Sequence, residues 1–385
     1  MYSRTVRPQR RATRVSALVF VAAVAAGCSS SSKPAPAGAP ASGTNAATSS
    51  AVLAAKAEFQ TNLKTQSAPA VPLLPAKPPS DRSITIQTCP LPVCQTTTTA
   101  AREAALKLGW KVSYLQSDLT PQAYQTVVNQ IVANPPQLLA LTPVVPDSFI
   151  SGQLATLKAH GTKVVEIAPG SNVPAAAGPV EGVVAGTADF AHRGRLMGDA
   201  VVADAGGAAD TLYVWDPTLA ANFTPERNAL TTVIDGAGGA VAVLDVSQAN
   251  IGKTIPTQVT SYLQSHPKVK YVAFAIADLA IGVPQALRSA GVPPVKILST
   301  GPQASTMADL AHGDQWASVG QENAAAGYRA IDQLARLTMG LTLGPLADAP
   351  GWSQIYVKDN VTETNAPPAY AGFPQNYLTA WRVGS

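Results

Sequence analysis

Charge is scarce in this chain of 385 residues, with Asp, Glu, Lys and Arg at 13%. A surface so thinly charged gives little long-range steering, which disfavours a polyanionic or strongly charged partner. Histidine is scarcer still. His160, His192, His266 and His312 are scattered and form no ligand-spaced pair with a cysteine, so no metal site is expected. No G-x-S-x-G elbow, Walker loop or H-E-x-x-H occurs, and no paired carboxylates stand out. Gly236-Ala237-Gly238-Gly239 follows a helical pattern rather than a strand, so it reads as a helix stop, not a dinucleotide loop. These gaps argue against an enzyme and against a cofactor. The apolar run from Val15 to Ala26, broken only by Ser16, falls short of the roughly 20 residues that span a bilayer with margin.

That run nevertheless carries information. Arg4, Arg7, Arg10, Arg11 and Arg14 precede it, with no acidic residue among them, and it ends in Val24-Ala25-Ala26-Gly27-Cys28. A basic head, a short apolar stretch and small residues make a signal peptide over residues 1–27. Small residues followed directly by Cys resemble a bacterial lipobox, which implies cleavage before Cys28 and lipidation of it. An ordinary secretory signal with a chance Cys is the other reading. Arg10-Arg11 hints at twin-arginine export, but the residues after it depart from that pattern, so the Sec route stays open. Five of the 27 Lys and Arg lie in this leader, which has no Lys, Asp or Glu. That leaves 22 basic against 23 acidic residues, a formal net charge of −1. No basic footprint for nucleic acid remains.

Residues 28–81 read as a stalk. Ser29 to Ser50 is rich in Ser, Ala, Pro and Gly and cannot bury enough surface to offset ordering entropy. Ala51 to Leu63 is helix-compatible, and Pro69 to Pro79 is a second proline-rich stretch. The expected tether is flexible, with at most a transient helix. Residues 363–385 read as a C-terminal tail.

From Arg82 the chain alternates strand and helix signals. Ser83–Ile86, Trp110–Leu115, Leu138–Leu141 and Lys163–Ile167 read as strands, separated by helices over Ala100–Leu108, Pro121–Ala133 and Ser148–His160. The alternation restarts with a helix over Phe190–Ala203. Strands follow at Asp210–Trp215, Val241–Asp245, Tyr271–Ala275, Val295–Leu298 and Trp316–Gly320, then a helix over Asn323–Met339. Such alternation implies right-handed βαβ units and parallel sheets, and the length exceeds one core. The fold class is α/β, with two doubly wound lobes.

The stretch from Ile84 to about Val361 resembles the type I periplasmic solute-binding proteins, the ribose-binding-like group that serves ABC importers. Ala100–Trp110 resembles that family's first helix, Leu141-Thr142-Pro143 its third-strand turn, and Phe274-Ala275-Ile276-Ala277-Asp278 its turn before a later helix. Val319-Gly320-Gln321 resembles a hinge segment ending in Gln. The resemblance implies crossovers near Gly186–Asp189, Gln321–Asn323 and Leu343–Trp352. Lobe one is then 82–187 plus 323–350, and lobe two 188–322 plus 351–362. It also implies a small-molecule ligand bound between the lobes of a monomer, held outside the cell membrane by its lipid.

Departures from the sugar-binding pattern bear on the ligand. Where sugar-binding relatives carry an Asp-Arg pair after the fourth strand, this chain has Ile167-Ala168-Pro169-Gly170. Thr142 and Ala277 stand where those relatives have Asn, and Ser299-Thr300-Gly301 replaces a G-F-D turn. A polyol needs fixed hydrogen-bonding groups, and each unmade buried bond costs about 1–3 kcal/mol. A less hydroxylated, more apolar or aromatic ligand is expected. Candidate contacts are Cys89, Leu91, Thr142, Ala168, Trp215, Asp216, Asn222, Arg227, Asp278, Thr300 and Gln321. Trp215 reads equally as a ligand-stacking or a core aromatic, Arg227 as a ligand anchor or a solvated helix residue, and Asp278 as an acceptor or a cap. Cys89 and Cys94, in one loop of an exported chain, are most simply a disulfide. The function expected is solute capture for an ABC permease. A sensory lipoprotein that signals to a membrane receptor and a non-binding envelope lipoprotein are the alternatives.

Overall fold

The computed structural model describes residues 43–65, 67, 70–168, 178–321, 323–348, 351, 353–362 and 372–384. Cys28 and the leader lie outside these residues.

Two sheets organise the chain. The first contains β1 (Ser83–Thr88), β2 (Lys111–Gln116), β3 (Leu138–Leu141), β4 (Lys163–Ile167) and β5 (Gly182–Val184), in the order β2-β1-β3-β4-β5. All its pairings are parallel. The second contains β6 (Asp210–Trp215), β7 (Ala240–Asp245), β8 (Tyr271–Phe274), β9 (Lys296–Thr300), β10 (Ala317–Gln321) and β11 (Ser353–Val357), in the order β11-β10-β9-β8-β6-β7. Only the edge pair β10–β11 is antiparallel. Burial follows position. Central strands β3 and β8 are buried at every residue, while edge strands β2 and β7 mix exposed with half-buried positions.

The helices are α1 (Gly43–Asn62), α2 (Pro92–Lys107), α3 (Pro121–Ala133), α4 (Ser151–Ala159), α5 (Thr187–Ala205), α6 (Ala220–Gly236), α7 (Ile255–Ser265), α8 (Val283–Ser289), α9 (Ala304–His312), α10 (Asn323–Thr338) and α11 (Gln375–Ala380). Local chemistry sets several starts. Proline occupies the first turn of α2, α3, α7 and α8, where a missing N–H costs nothing, and Thr120 Oγ1 caps α3 by accepting from Ala123 N. The first sheet is covered by α2 and α10 on one face and α3 and α4 on the other, each with its own apolar core. A larger core fills the second lobe. Between β1 and β11 the chain crosses between lobes three times: after β5, after β10, and between α10 and β11.

Helices α5 and α6 approach unusually closely. A Cβ on Gly194 would stand 1.9 Å from the Glu226 carbonyl oxygen, and one on Gly198 would stand 2.7 Å from Val233 Cβ. These two glycines face α6 one turn apart and let the backbones meet.

The flexible tether expected through Asp81 is corrected over 43–65 and 70–80. Helix α1 lies on α5, buries Val52 and Ala55, and sets Phe59 against Trp316 with ring centroids 6.3 Å apart. Asn360 Nδ2 donates to Leu63 O. Farther on, Leu74 is fully buried in the first lobe, Trp110 Nε1 donates to Pro79 O, and Leu74 N donates to Ala380 O. A few apolar side chains on an Ala-rich helix and a proline-rich strap suffice because both find grooves already made by the lobes. The expected tail is likewise docked over 372–384. Trp381 is fully buried, stacks on Tyr328 at 5.9 Å, and donates from Nε1 to Asp332 Oδ1. Residues 363–371 of that tail lie outside the described residues.

Candidate functional site

The carboxyl ends of the strands in both sheets open onto one cavity of about 700 Å³. This is where parallel α/β sheets place ligands, and the volume falls in the usual range for small-molecule sites. From the first lobe it is lined by the loops after β1 (Cys89, Leu91, Val93, Cys94), β2 (Leu119 to Pro121) and β3 (Thr142 to Pro146, then Phe149), and by Ala168 and Ala185. From the second it takes Phe190 and Arg193 of α5, residues 216–223 after β6, Ser247 to Ala249 after β7, and Ile276 after β8. Most of these side chains are apolar.

The first-lobe wall is held rigidly. Cys89 and Cys94 form a disulfide across a Cα–Cα distance of 5.5 Å, closing the loop at the start of α2. Gln87 then ties three strand ends together. Its Oε1 accepts from Thr142 N at 2.8 Å, its Nε2 donates to Ser117 Oγ at 2.9 Å, and its carbonyl accepts from Thr142 Oγ1 at 3.2 Å. Ala168 and Ala185, at the ends of β4 and β5, adopt φ of 53° and 55°. Residues with a Cβ avoid this region, and such backbone strain collects at ligand-facing turns.

In the second lobe, Asp216 organises two loops. Its Oδ1 accepts from Thr218 N at 2.8 Å and Thr218 Oγ1 at 2.7 Å, and its Oδ2 accepts from Gln248 N at 2.8 Å. Asn222 reaches across the cleft, where its Nδ2 donates to Ala168 O at 2.7 Å. This bond joins a helix of one lobe to a strand end of the other.

Of the eleven residues expected from the sequence, Cys89, Leu91, Thr142, Ala168, Asp216 and Asn222 line the cavity. Four do not. Trp215 takes the core one of its two readings, with Nε1 donating to Asp245 Oδ1 at 2.7 Å. Arg227 is corrected to its neighbour, lying 4.5 Å over the Trp215 ring. Thr300 is fully buried and donates to Ala275 O, joining the ends of β8 and β9. Asp278 sits buried in a 3-10 turn, and burial raises its pKa. For Trp215 and Thr300 bonds to the neighbouring strand hold the side chain: Asp245 is the register partner of Trp215 on β7, and Ala275 follows β8 beside β9. The side chain of Gln321, which ends β10, lies outside the described residues.

The sequence reading passes over Phe190, Arg193 and residues 144–146. Phe190 and Arg193 are three apart at the start of the helix that follows the first crossover, a spacing that puts both on one helix face. Arg193 is 2% exposed and lies 4.0 Å over the Phe190 ring. Phe190 meets Phe223 edge to face at 5.6 Å. Behind Arg193 stands Glu226, fully buried, with its Oε1 accepting from Tyr213 OH at 2.9 Å. Burial pushes Glu226 up to about 8, against the opposing pull of Arg193, Tyr213 and Thr300. Among the described residues no group of three His, Cys, Asp or Glu is placed to hold a metal ion.

Among solved structures, the chain is similar to a glucose-galactose binding protein from Geobacillus stearothermophilus, at 16% identity and a TM-score of 0.65 over 74% of this chain and 100% of that one. It is also similar to an ABC transporter solute binding protein from Mycobacterium smegmatis with bound glycerol, at 22% identity and a TM-score of 0.63 over 75% and 100% of the two chains. A third, from Agrobacterium vitis with bound allitol, stands at 19% identity and a TM-score of 0.64 over 73% and 97%. No curated protein matches the sequence. The model of the periplasmic binding protein domain matches residues 87–342, well over half of the chain. With its two α/β lobes and its cleft at the strand ends, the chain belongs to the periplasmic binding protein family, as a type I solute-binding protein.

Proposed function

We propose that this protein captures one small, largely apolar molecule between its lobes and delivers it to an ABC importer from the outer face of the cell membrane, held there by a lipid on Cys28. The observation that carries the reading is the cavity itself, which both lobes line mostly with apolar side chains. A ligand that touches both lobes favours their closed arrangement, and closure is what a membrane permease can recognise. The similar solved proteins are named for glucose-galactose binding or hold glycerol and allitol. This cavity offers a polyol few partners. Asp216 spends both carboxylate oxygens on Thr218 and Gln248, the Thr142 hydroxyl is engaged by Gln87, and Ala168, Ala185 and Ile276 stand at strand ends. Pentoses and hexoses are therefore expected to bind poorly.

Mass spectrometry of solute released from the purified protein, with solution scattering before and after its return, tests the capture step. A single co-purifying molecule that compacts the protein is the expected result. Tight binding of ribose, arabinose or galactose in calorimetry would refute the apolar ligand. Cys28→Ala is expected to release the protein from membranes, and unchanged partition would refute the anchor.

A further inference from the structure

Arg193 makes no hydrogen bond through Nε or Nη2, although the residue is 2% exposed. Withdrawing a guanidinium from water without giving its donors acceptors is among the costliest burials in a protein. The charge needs an anion, and the surrounding acids do not supply one. Asp189, four residues earlier on α5, is engaged by Arg329 and by Gly351 N. Asp216 has both oxygens committed to Thr218 and Gln248. Glu226 is the nearest carboxyl, but its Oε2 lies 4.0 Å from Arg193 Nε, beyond hydrogen-bonding distance, and is itself unpartnered. Burial works against the charged form of Glu226, and at 4.0 Å with no hydrogen bond it is a weak counter-charge for the guanidinium.

Among the described residues that line the cavity, Arg193 is the cation. It lines the same space as Phe190 and Phe223, with Leu219 and Val144 among the other walls. We propose that Arg193 receives a single carboxylate carried by the bound solute, and that the solute is an apolar monoacid rather than a polyol. The inference rests on the cavity being the solute site. A planar carboxylate fits the guanidinium fork, while an aryl or alkyl body fits the apolar walls. A second negative charge would face Asp216 and find no second cation among the described lining residues, which limits the ligand to one.

The test compares three acids, benzoate, 3-phenylpropionate and octanoate, each against its own amide, by calorimetry on the full chain at pH 7. Acid and amide share a shape and differ in charge. At least one acid is expected to bind tenfold or more tightly than its amide. Arg193→Gln is expected to erase that preference, and Arg193→Lys to keep part of it. An amide that binds as well as its acid overturns the proposal, as does a folded Arg193→Gln protein that keeps the preference. If Arg193→Gln does not fold, the wild-type comparison and Arg193→Lys decide the matter. Tighter binding of phenyl phosphate than of any acid overturns the monoacid class. Ribose or galactose binding where the acids fail overturns the inference but leaves solute capture standing. Failure of acids, amides and sugars alike, with no change in scattering, counts against both.

Discussion

Gly194→Ala isolates the contact on which the second-lobe side of the cleft depends. Alanine is the better helix former, and in an open helix the change would gain about 1 kcal/mol. In α5 it meets an obstacle. The new Cβ would lie 1.9 Å from Glu226 O, 2.7 Å from Glu226 C and 2.8 Å from Glu226 Cα. All three are backbone atoms of a packed helix, so no rotamer change relieves the clash and α5 must move away from α6. Overpacking of this kind costs about 1–3 kcal/mol, occasionally more, and here it acts on main chain rather than on a yielding side chain. The clash therefore outweighs the propensity gain. A net loss of about 1–3 kcal/mol is expected, or a few degrees per kcal/mol in Tm for a protein of this size. Gly236→Ala is the control. That glycine is the last residue of α6 and a Cβ there meets nothing within 4 Å, so its Tm should hold or rise. Calorimetric unfolding of the two variants beside the parent reads both signs. A Gly194→Ala protein melting at or above the parent would refute the close approach, and with it the placement of Arg193 against Glu226.

Stability should fall as pH rises from 5 to 8. Burial raises Asp199 to about 6 and Glu226 to about 8, and burial with Asp147 raises Glu166 well above the carboxylate range. Between the ordinary carboxylate pKa and these values the folded state binds more protons than the unfolded one, so their stabilisation is full at low pH and is lost through each folded pKa. His192, held low by burial and Arg195, contributes the opposite slope near pH 6.5. Melting temperatures across this range, with Glu226→Gln flattening the upper part, check the sum; a rising profile would contradict it. Asn222→Ala removes the bond to Ala168 O, worth about 0.5–1.5 kcal/mol, and is expected to shift the unliganded protein toward a larger radius of gyration, so an unchanged radius would show that the bond does not hold the lobes. Cys89 and Cys94 should resist alkylation until reduced, and ready labelling of native protein would rule the disulfide out.

Strand positions and helix alternation are legible because parallel strands buried on both faces read as continuous apolar runs, as in Leu138–Leu141 and Tyr271–Phe274. β5 escaped because three residues, Gly182–Val184, carry no period. α1 reads in the sequence as a transient helix on a tether for a related reason. Its apolar residues do not gather on one face, since Val52 and Ala55 are buried while Leu53 is 68% exposed, so its order comes from α5 and not from its own pattern. The same holds for Leu74 and Trp381, whose neighbours in sequence are polar or proline-rich but whose neighbours in space are each other's segments. Tertiary docking of a weakly patterned segment leaves little trace in that segment.

The site divides along the same line. The strand ends that face the cleft follow from the parallel topology, so the loops carrying Cys89, Thr142, Ala168, Asp216 and Asn222 could be placed before any coordinates. Which side chain points into the cleft depends on finer geometry. Trp215 and Thr300 stand on their strands where expected, yet their polar atoms are bonded to Asp245 and to Ala275 O. Arg193 lies on no strand end at all. It reaches the cavity because α5 begins at the crossover and because Gly194 and Gly198 draw that helix against α6, pressing the face with Phe190 and Arg193 toward the opening. Its buried guanidinium, with Nε and Nη2 free of hydrogen bonds, has no signature in a sequence where Arg195, two positions on, sits on the same helix facing His192 instead. Chain topology thus fixes where a ligand goes, while helix packing fixes what charge it meets there.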